Sequence, residues 1–124
     1  MPTRQKVEEF IALVVAEKHV EAIAKFYHEN ASMQENFNPP RTGRDTLIAH
    51  ETKSLAAVKS MKSFPPREVL VDGDNVAIHW IFEITDPRGD RRRLEEIAMQ
   101  KWQGERIINE RFFYDSAKAW QPVD

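Results

Sequence analysis

The sequence has no cysteine among its 124 residues. Disulfides, thiolate zinc sites and cysteine nucleophiles are therefore excluded together, and the composition suits a reducing compartment. No stretch approaches membrane-spanning length, and the opening "MPTRQKVEEF" lacks an apolar signal core. The expectation is a cytoplasmic protein with no membrane partner. A net charge of −2 and a pI of about 6.1 leave no bulk field to draw nucleic acid. Arg91, Arg92 and Arg93 lack interleaved aromatics and read as a solvated hairpin shoulder. No His-x-x-x-His or similar spacing occurs, so no metal site is expected, and no cofactor motif is present. Repeats, linkers and low-complexity tracts are also missing. Residues 1–124 read as one domain, long enough to build a core without a covalent staple.

What is present begins with helices. Val7, Phe10, Ile11 and Val14 recur at helical spacing behind Thr3, a plausible N-cap residue. After a break near His19, Val20, Ile23, Ala24 and Phe26 start a second apolar stripe, with His28 late in the same helix and solvated. Pro39, Pro40 and Gly43 mark a loop, with a short strand before it. A third helix follows, its start marked by Thr42 and Asp45 at capping-box spacing and its apolar face by Leu47, Ile48, Leu55 and Val58. Pro65 and Pro66 close that region. Beyond them "REVLV", Asp72-Gly73 and "NVAIHWIFEIT" read as a hairpin, "DPRGD" as a turn, and "RRLEEIAMQKW", "QGE" and "RIINERFFYD" as another hairpin. Helices first and strands afterwards predict an α+β fold, with three helices on one face of an antiparallel sheet.

Strand residues two apart share a face. Trp80 and Phe82 alternate with His79, Ile81 and Glu83, which places His79 outward. Glu96, Ala98, Gln100 and Trp102 share one face of the next strand. Ile108, Glu110, Phe112 and Tyr114 share one face of the last. Apolar and polar residues occur on both sides of these last two strands, so both faces are expected to be partly covered. The helices meet one. The other carries Ile81, Ile97, Met99 and Phe113, and predicts a twofold homodimer with Arg111 and Glu83 at its edge.

The order of elements and three strings resemble one superfamily. "HVEAIAKFYHENASMQE" is similar to the second helix and first strand of ketosteroid isomerase. "RTGRDTL" resembles the start of its third helix. "EEIAMQKWQGERIINERFFYD" resembles the closing hairpin of SnoaL-like proteins. Nuclear transport factor 2 and the SnoaL-like polyketide cyclases share this fold. The resemblance implies a cone-shaped sheet with the helices on its concave face. It also implies a small-molecule cavity holding an apolar organic ligand.

Aligned without gaps, the isomerase's general base falls on Glu35, whose pKa a dry cavity would raise toward neutrality. Its oxyanion donors fall on Ile11 and Ala98, which have no side-chain hydrogen to give, so steroid isomerisation by that route is not implied. The same alignment turns Trp80, Phe82, Glu96, Gln100, Trp102, Glu110, Phe112 and Tyr114 inward and brings His50 and Glu51 near the pocket. Glu35, Glu96 and Glu110 are thus the candidate acid/base residues. If they share one cavity, like charges and desolvation require unequal pKa values among them. The plainer alternative pairs Glu96 and Glu110 with basic side chains such as Arg91, Arg92, Arg93, Lys101 and Arg106. The function implied is isomerisation, cyclisation or hydration of an apolar substrate. The competing reading is a non-catalytic ligand-binding or protein-interaction domain, for which a closed or solid pocket is expected.

Overall fold

The computed structural model describes residues 1–123. Helix α1 (Arg4–Val15) starts where the sequence predicts, with the Thr3 side chain accepting from the Lys6 amide. It buries Val7, Phe10 and Val14. Helix α2 (His19–Phe26) spans its apolar stripe but ends before His28. Tyr27 is already extended at φ −99° and ψ 139°, so His28 lies in strand β1 (Tyr27–Glu35) and not in a helix. Strand β2 (Arg41–Thr42) leads into helix α3 (Arg44–Ala56). Its N-cap is Gly43, and no side chain caps it, so the Thr42–Asp45 capping box does not form. Gly43 sits at φ +100°, a conformation that suits glycine and strains other residues.

The remaining strands are β3 (Ser60–Ser63), β4 (Glu68–Asp72), β5 (Asn75–Thr85), β6 (Arg91–Gln103), β7 (Arg106–Phe113) and β8 (Gln121–Pro122). Strand β3 falls in a stretch the sequence reading left without a strand. The fold is α+β, with three α-helices and one eight-stranded sheet among the described residues. The main order is β2-β1-β7-β6-β5-β3, with β4 beside β5 and β8 beside β6. Every described pairing is antiparallel except β1 with β7, which is parallel. The sheet is therefore mixed where sequence order suggested an antiparallel meander.

The core lies between the helices and one sheet face. Phe10 packs edge-on against Phe26 and Trp102, at ring separations of 5.8 and 6.3 Å. One irregularity changes which residues face it. Lys101 pairs with Asn109 but Trp102 pairs with Ile107, so β7 bulges at Ile108. Ile107 is then fully buried, while Ile108, expected inward, is only half-buried. On the C-terminal side of the bulge the expected phase holds for Glu110 and Phe112. No described helix is long and apolar enough to cross a membrane.

On the outer face, Ile97, Met99 and Phe113 are each about 40 % exposed. Ile81, expected to share that surface, is buried within the chain. Glu83 is held by Arg91 and Arg93 at 3.2 and 3.0 Å. His79 faces Glu95 at 2.6 Å and takes no part in the interior.

Candidate functional site

Strand register assembles the site. Trp80 pairs with Glu96, Ala98 with Phe112, and Gln100 with Glu110, so all of these side chains point to the helix side of the sheet. Opposite them lie Phe10 and Val14 of α1, Ile23 of α2 and Leu55 of α3. The space left between is a cavity of about 330 Å³, near the small end for ligand pockets. Trp80 stacks on Phe82 with ring centres 5.3 Å apart and forms part of its wall. Phe112, His50 and Glu51 also line it, as do Glu35, Glu96 and Glu110. Leu55 and Val58 belong to the expected apolar face of the third helix, yet they front this space and do not pack into the core.

The three candidate carboxyl groups have three different environments. Glu110 is buried and accepts two hydrogen bonds, one from the Tyr27 hydroxyl and one from Gln100 Nε2 at 2.6 Å. Trp102 Nε1–H donates to Gln100 Oε1 at 2.9 Å. An indole N–H can only donate, so it fixes the amide with its nitrogen toward Glu110. Burial pushes the Glu110 pKa up to about 7, against the pull of its two donors. Tyr27 is raised well above its ordinary value by burial and by the neighbouring Glu110 carboxyl.

Glu35 is paired. Burial works to raise it, but hydrogen bonds from Arg41 and Tyr114 and the charges of Arg41 and His50 hold it below the usual value. The Arg41 guanidinium lies 2.8 Å from one carboxylate oxygen, and the Tyr114 hydroxyl donates to the other at 3.0 Å. This overturns the expectation of a Glu35 pKa raised toward neutrality. Desolvation is present, but a cation reaches the group and outweighs it. Tyr114 itself is pushed up to about 12, chiefly by burial and by its bond to Glu35.

Glu96 is alone. It is 7 % exposed and lines the cavity. Among the described residues, no hydrogen bond or ion pair engages its carboxyl group. The pairing with basic residues that the sequence allowed does not occur, because Arg91 and Arg93 reach Glu83 and Arg92 reaches Asp86. Burial first, then the charges of Glu110, Glu35 and Glu51, push the Glu96 pKa up to about 8. The expected inequality among the three carboxyl groups is present, with Glu35 low and Glu96 and Glu110 high.

Gln100, Trp102 and Tyr114, expected as ligand-contacting residues, stand one layer back. None lines the cavity; Gln100 and Trp102 hold Glu110, and Tyr114 holds Glu35. Among the wall residues that the sequence reading did not single out are Tyr27, Arg41 and Trp120. Trp120 lies in the C-terminal segment with φ +55°. Only the acid at Glu35 hinted at Arg41, through the need for a counter-charge.

A second polar cluster borders the same cavity. Glu17, at φ +62°, accepts from the Ser63 amide and hydroxyl, both at 2.7 Å, and contacts His19 Nε2 at 2.9 Å. His19 Nε2 also lies 3.1 Å from the Ser63 hydroxyl. One imidazole nitrogen thus meets both partners. A nucleophile relay needs the two ring nitrogens on different partners, so the cluster is a clamp between the α1–α2 turn and β3. Among the described residues, no group of three or more His, Cys, Asp or Glu side chains is placed to hold a metal ion.

The cavity, its carboxyl groups and the mixed sheet agree with a match to known proteins. Residues 7–110 match the SnoaL-like domain family. The chain belongs to that family. This SnoaL-like domain has the fold of several solved structures. One is a SnoaL-like polyketide cyclase homologue from Mesorhizobium loti, with 20 % identity, a TM-score of 0.76, and coverage of 92 % of this chain and all of that one. Another is a protein of ketosteroid isomerase-like fold from Catenulispora acidiphila, solved with trimethylamine. It has 14 % identity and a TM-score of 0.77 over 94 % of this chain and 90 % of that one. A third is the epoxide hydrolase/cyclase-like enzyme SalBIII, which has a role in pyran ring formation in the polyether salinomycin. It has 23 % identity and a TM-score of 0.77 over 94 % of this chain and 95 % of that one. No curated protein matches the SnoaL-like domain described here.

Proposed function

We propose that this SnoaL-like domain binds a small, largely apolar organic molecule in its cavity and acts on it by acid/base chemistry. Isomerisation, cyclisation and hydration are the reactions this chemistry covers. The supporting observation is Glu96, a buried carboxyl group that faces the cavity without a partner among the described residues. Held protonated near neutral pH, it is a hydrogen-bond donor with no described acceptor. A carbonyl, hydroxyl or ether oxygen on a ligand would accept that bond, and the proton could follow as charge develops. Glu35 stays ionised beside Arg41 and serves as the base. Glu110 is the second titratable group of the wall, oriented by Tyr27 and Gln100. Two carboxyl groups driven to opposite protonation states by their surroundings are what acid/base work at one pH requires. The open cavity also favours this reading over a protein-interaction domain, for which a filled interior was expected.

The test is proton exchange. Flat ketones with α-hydrogens are incubated with the protein in deuterated buffer near pH 7, and deuterium uptake is followed by NMR. Wild type is expected to accelerate exchange for members of the panel that fit. Glu35→Gln and Glu96→Gln are each expected to lower the rate by about 10²–10⁴-fold, the usual worth of a positioned acid or base. Exchange at the wild-type rate in both variants would remove these residues from the chemistry.

The outer sheet face supports a homodimer. Ile97, Met99 and Phe113 leave an apolar strip in water, and Arg111 lies against the rings of Phe37 and Phe113 at 4.6 and 4.7 Å beside it. Covering such a strip with a second copy recovers about 25 cal/mol per Å² of apolar surface. Sedimentation of the wild type at micromolar concentration is expected to give a dimer, and Met99→Asp with Phe113→Asp a folded monomer. A wild-type monomer would refute the assembly.

A further inference from the structure

The charges on the cavity wall do not balance, and the imbalance identifies a class of ligand. Four carboxyl groups line the space: Glu35, Glu51, Glu96 and Glu110. Among the described lining residues the permanent cation is Arg41, and Glu35 takes it at 2.8 Å. The charge of His50 acts on Glu35 as well. His19 is engaged by Glu17 and Ser63. Glu110 is satisfied by Tyr27 and Gln100. Glu51 and Glu96 remain, and neither has a hydrogen-bond or ion-pair partner among the described residues. Glu96 is more than nine-tenths buried and points into the space they share. The influence of Glu51 reaches Tyr27, Glu96 and Glu110, so its charge is felt across the whole wall.

Glu35 is compensated by Arg41 and Glu96 is held protonated, so the wall carboxylate left without a counter-charge among the described residues is the half-buried Glu51, which a positive group would complete. The other half of the wall suits a positive ligand too. Trp80 stacked on Phe82, together with Phe112 and Trp120, offers aromatic surface. Ring faces attract ammonium groups, most strongly when water is excluded. An anionic ligand would be repelled by Glu51, and Arg41, the permanent cation among the described lining residues, is already taken by Glu35.

We infer that the cavity is built for a ligand with a cationic nitrogen on an apolar frame, the ammonium group lying by Glu51 and the frame against the Trp80–Phe82 stack. This rests on the reading of the cavity as a ligand site, and names the class of molecule it takes. Glu51 acts here as a recognition residue, separate from the acid and base assigned above. Protonated arylalkylamines and quaternary ammonium compounds belong to this class. Carboxylates and phosphates do not.

Three probes of nearly equal shape separate the possibilities by calorimetry at pH 7: 2-phenylethylammonium, 2-phenylethanol and 3-phenylpropionate. The expected order of affinity is ammonium, then alcohol, then carboxylate, with at least about tenfold between the first two, as one charge-assisted contact provides. Glu51→Gln is expected to fold normally, since no partner among the described residues is lost. It should reduce the ammonium-over-alcohol ratio by about tenfold and leave alcohol binding unchanged. Alcohol or carboxylate binding as tightly as ammonium, or a ratio unmoved by Glu51→Gln, would overturn the inference while the cavity remained a ligand site. Binding of none of the three would remove the ligand-site reading, and the inference with it.

Discussion

Glu96→Gln is expected to raise the thermal unfolding midpoint at pH 8.5 by on the order of 10 °C, and to leave it nearly unchanged at pH 5. The glutamine keeps the shape and cannot ionise. In the folded protein the Glu96 pKa stands at about 8, against an ordinary 4.5. Between those two values the unfolded chain has already released the proton that the folded chain still holds. Stability falls with pH wherever the folded state binds more protons than the unfolded one. Glu96 therefore contributes nothing adverse below about pH 4.5, and a growing penalty up to about pH 8. At about 1.4 kcal/mol per pH unit the sum is on the order of a few kcal/mol. For a domain of this size that is a change in midpoint of the size stated. Glu110, raised to about 7, adds a slope of the same sign that the variant retains. Calorimetric scans of both proteins from pH 5 to pH 9 measure the difference. Parallel curves would mean that Glu96 is ionised, or that water reaches it freely.

Trp102→Ala is expected to be the most damaging single truncation in the core, by about 3–5 kcal/mol from lost packing alone. Trp102 is 1 % exposed and meets Phe10 and Phe26 edge-on. Its indole N–H also orients Gln100, which in turn donates to Glu110. Trp102→Phe separates the two effects. It keeps much of the ring contact but removes the donor and leaves a buried amide oxygen without a partner, a further 1–3 kcal/mol. Freed to turn over, the Gln100 amide would present oxygen to the Glu110 carboxylate, and Glu110 would then titrate higher than in wild type. Denaturant unfolding gives the first quantity, and carboxyl carbon shifts followed across pH give the second. If Trp102→Phe leaves Glu110 unmoved, the indole has no part in holding the network.

Much of this interior could be read from strand alternation. Trp80, Phe82 and Glu96 are on the expected side because β5 and β6 pair without interruption from Asn75–Lys101 to Thr85–Arg91, and Phe112 because it pairs with Ala98 beyond the bulge of β7. The misplaced Ile108 arises from a bulge, and a bulge is set by pairing between strands far apart in sequence, not by local composition. The low pKa of Glu35 was hidden for the same reason. It depends on Arg41 reaching back across the β1–β2 turn, and no periodicity carries that information. Tyr27 was missed because the apolar stripe of α2 runs into β1 without a polar break, so the helix end left no trace. The support roles of Gln100 and Trp102 needed depth. Alternation tells which side of a sheet a residue faces, but not how far it lies from the open end of the cavity.

The parallel pairing of β1 with β7 bears on the order of events during synthesis. Met33 lies against Glu110, and Glu35 against Phe112. Apart from β7, β1 pairs only with the two residues of β2. A nascent chain that ends before Arg106 can assemble its helices and the β4–β5–β6 strands, yet it leaves the long edge of β1 without a neighbour. Contacts so distant along the chain close late, because the loop entropy they oppose is large. Glu35 on β1 and Glu110 on β7 therefore first share one space once β7 has been made. A ribosome-bound fragment that ends before Arg106 holds most of the apolar wall but lacks Glu110.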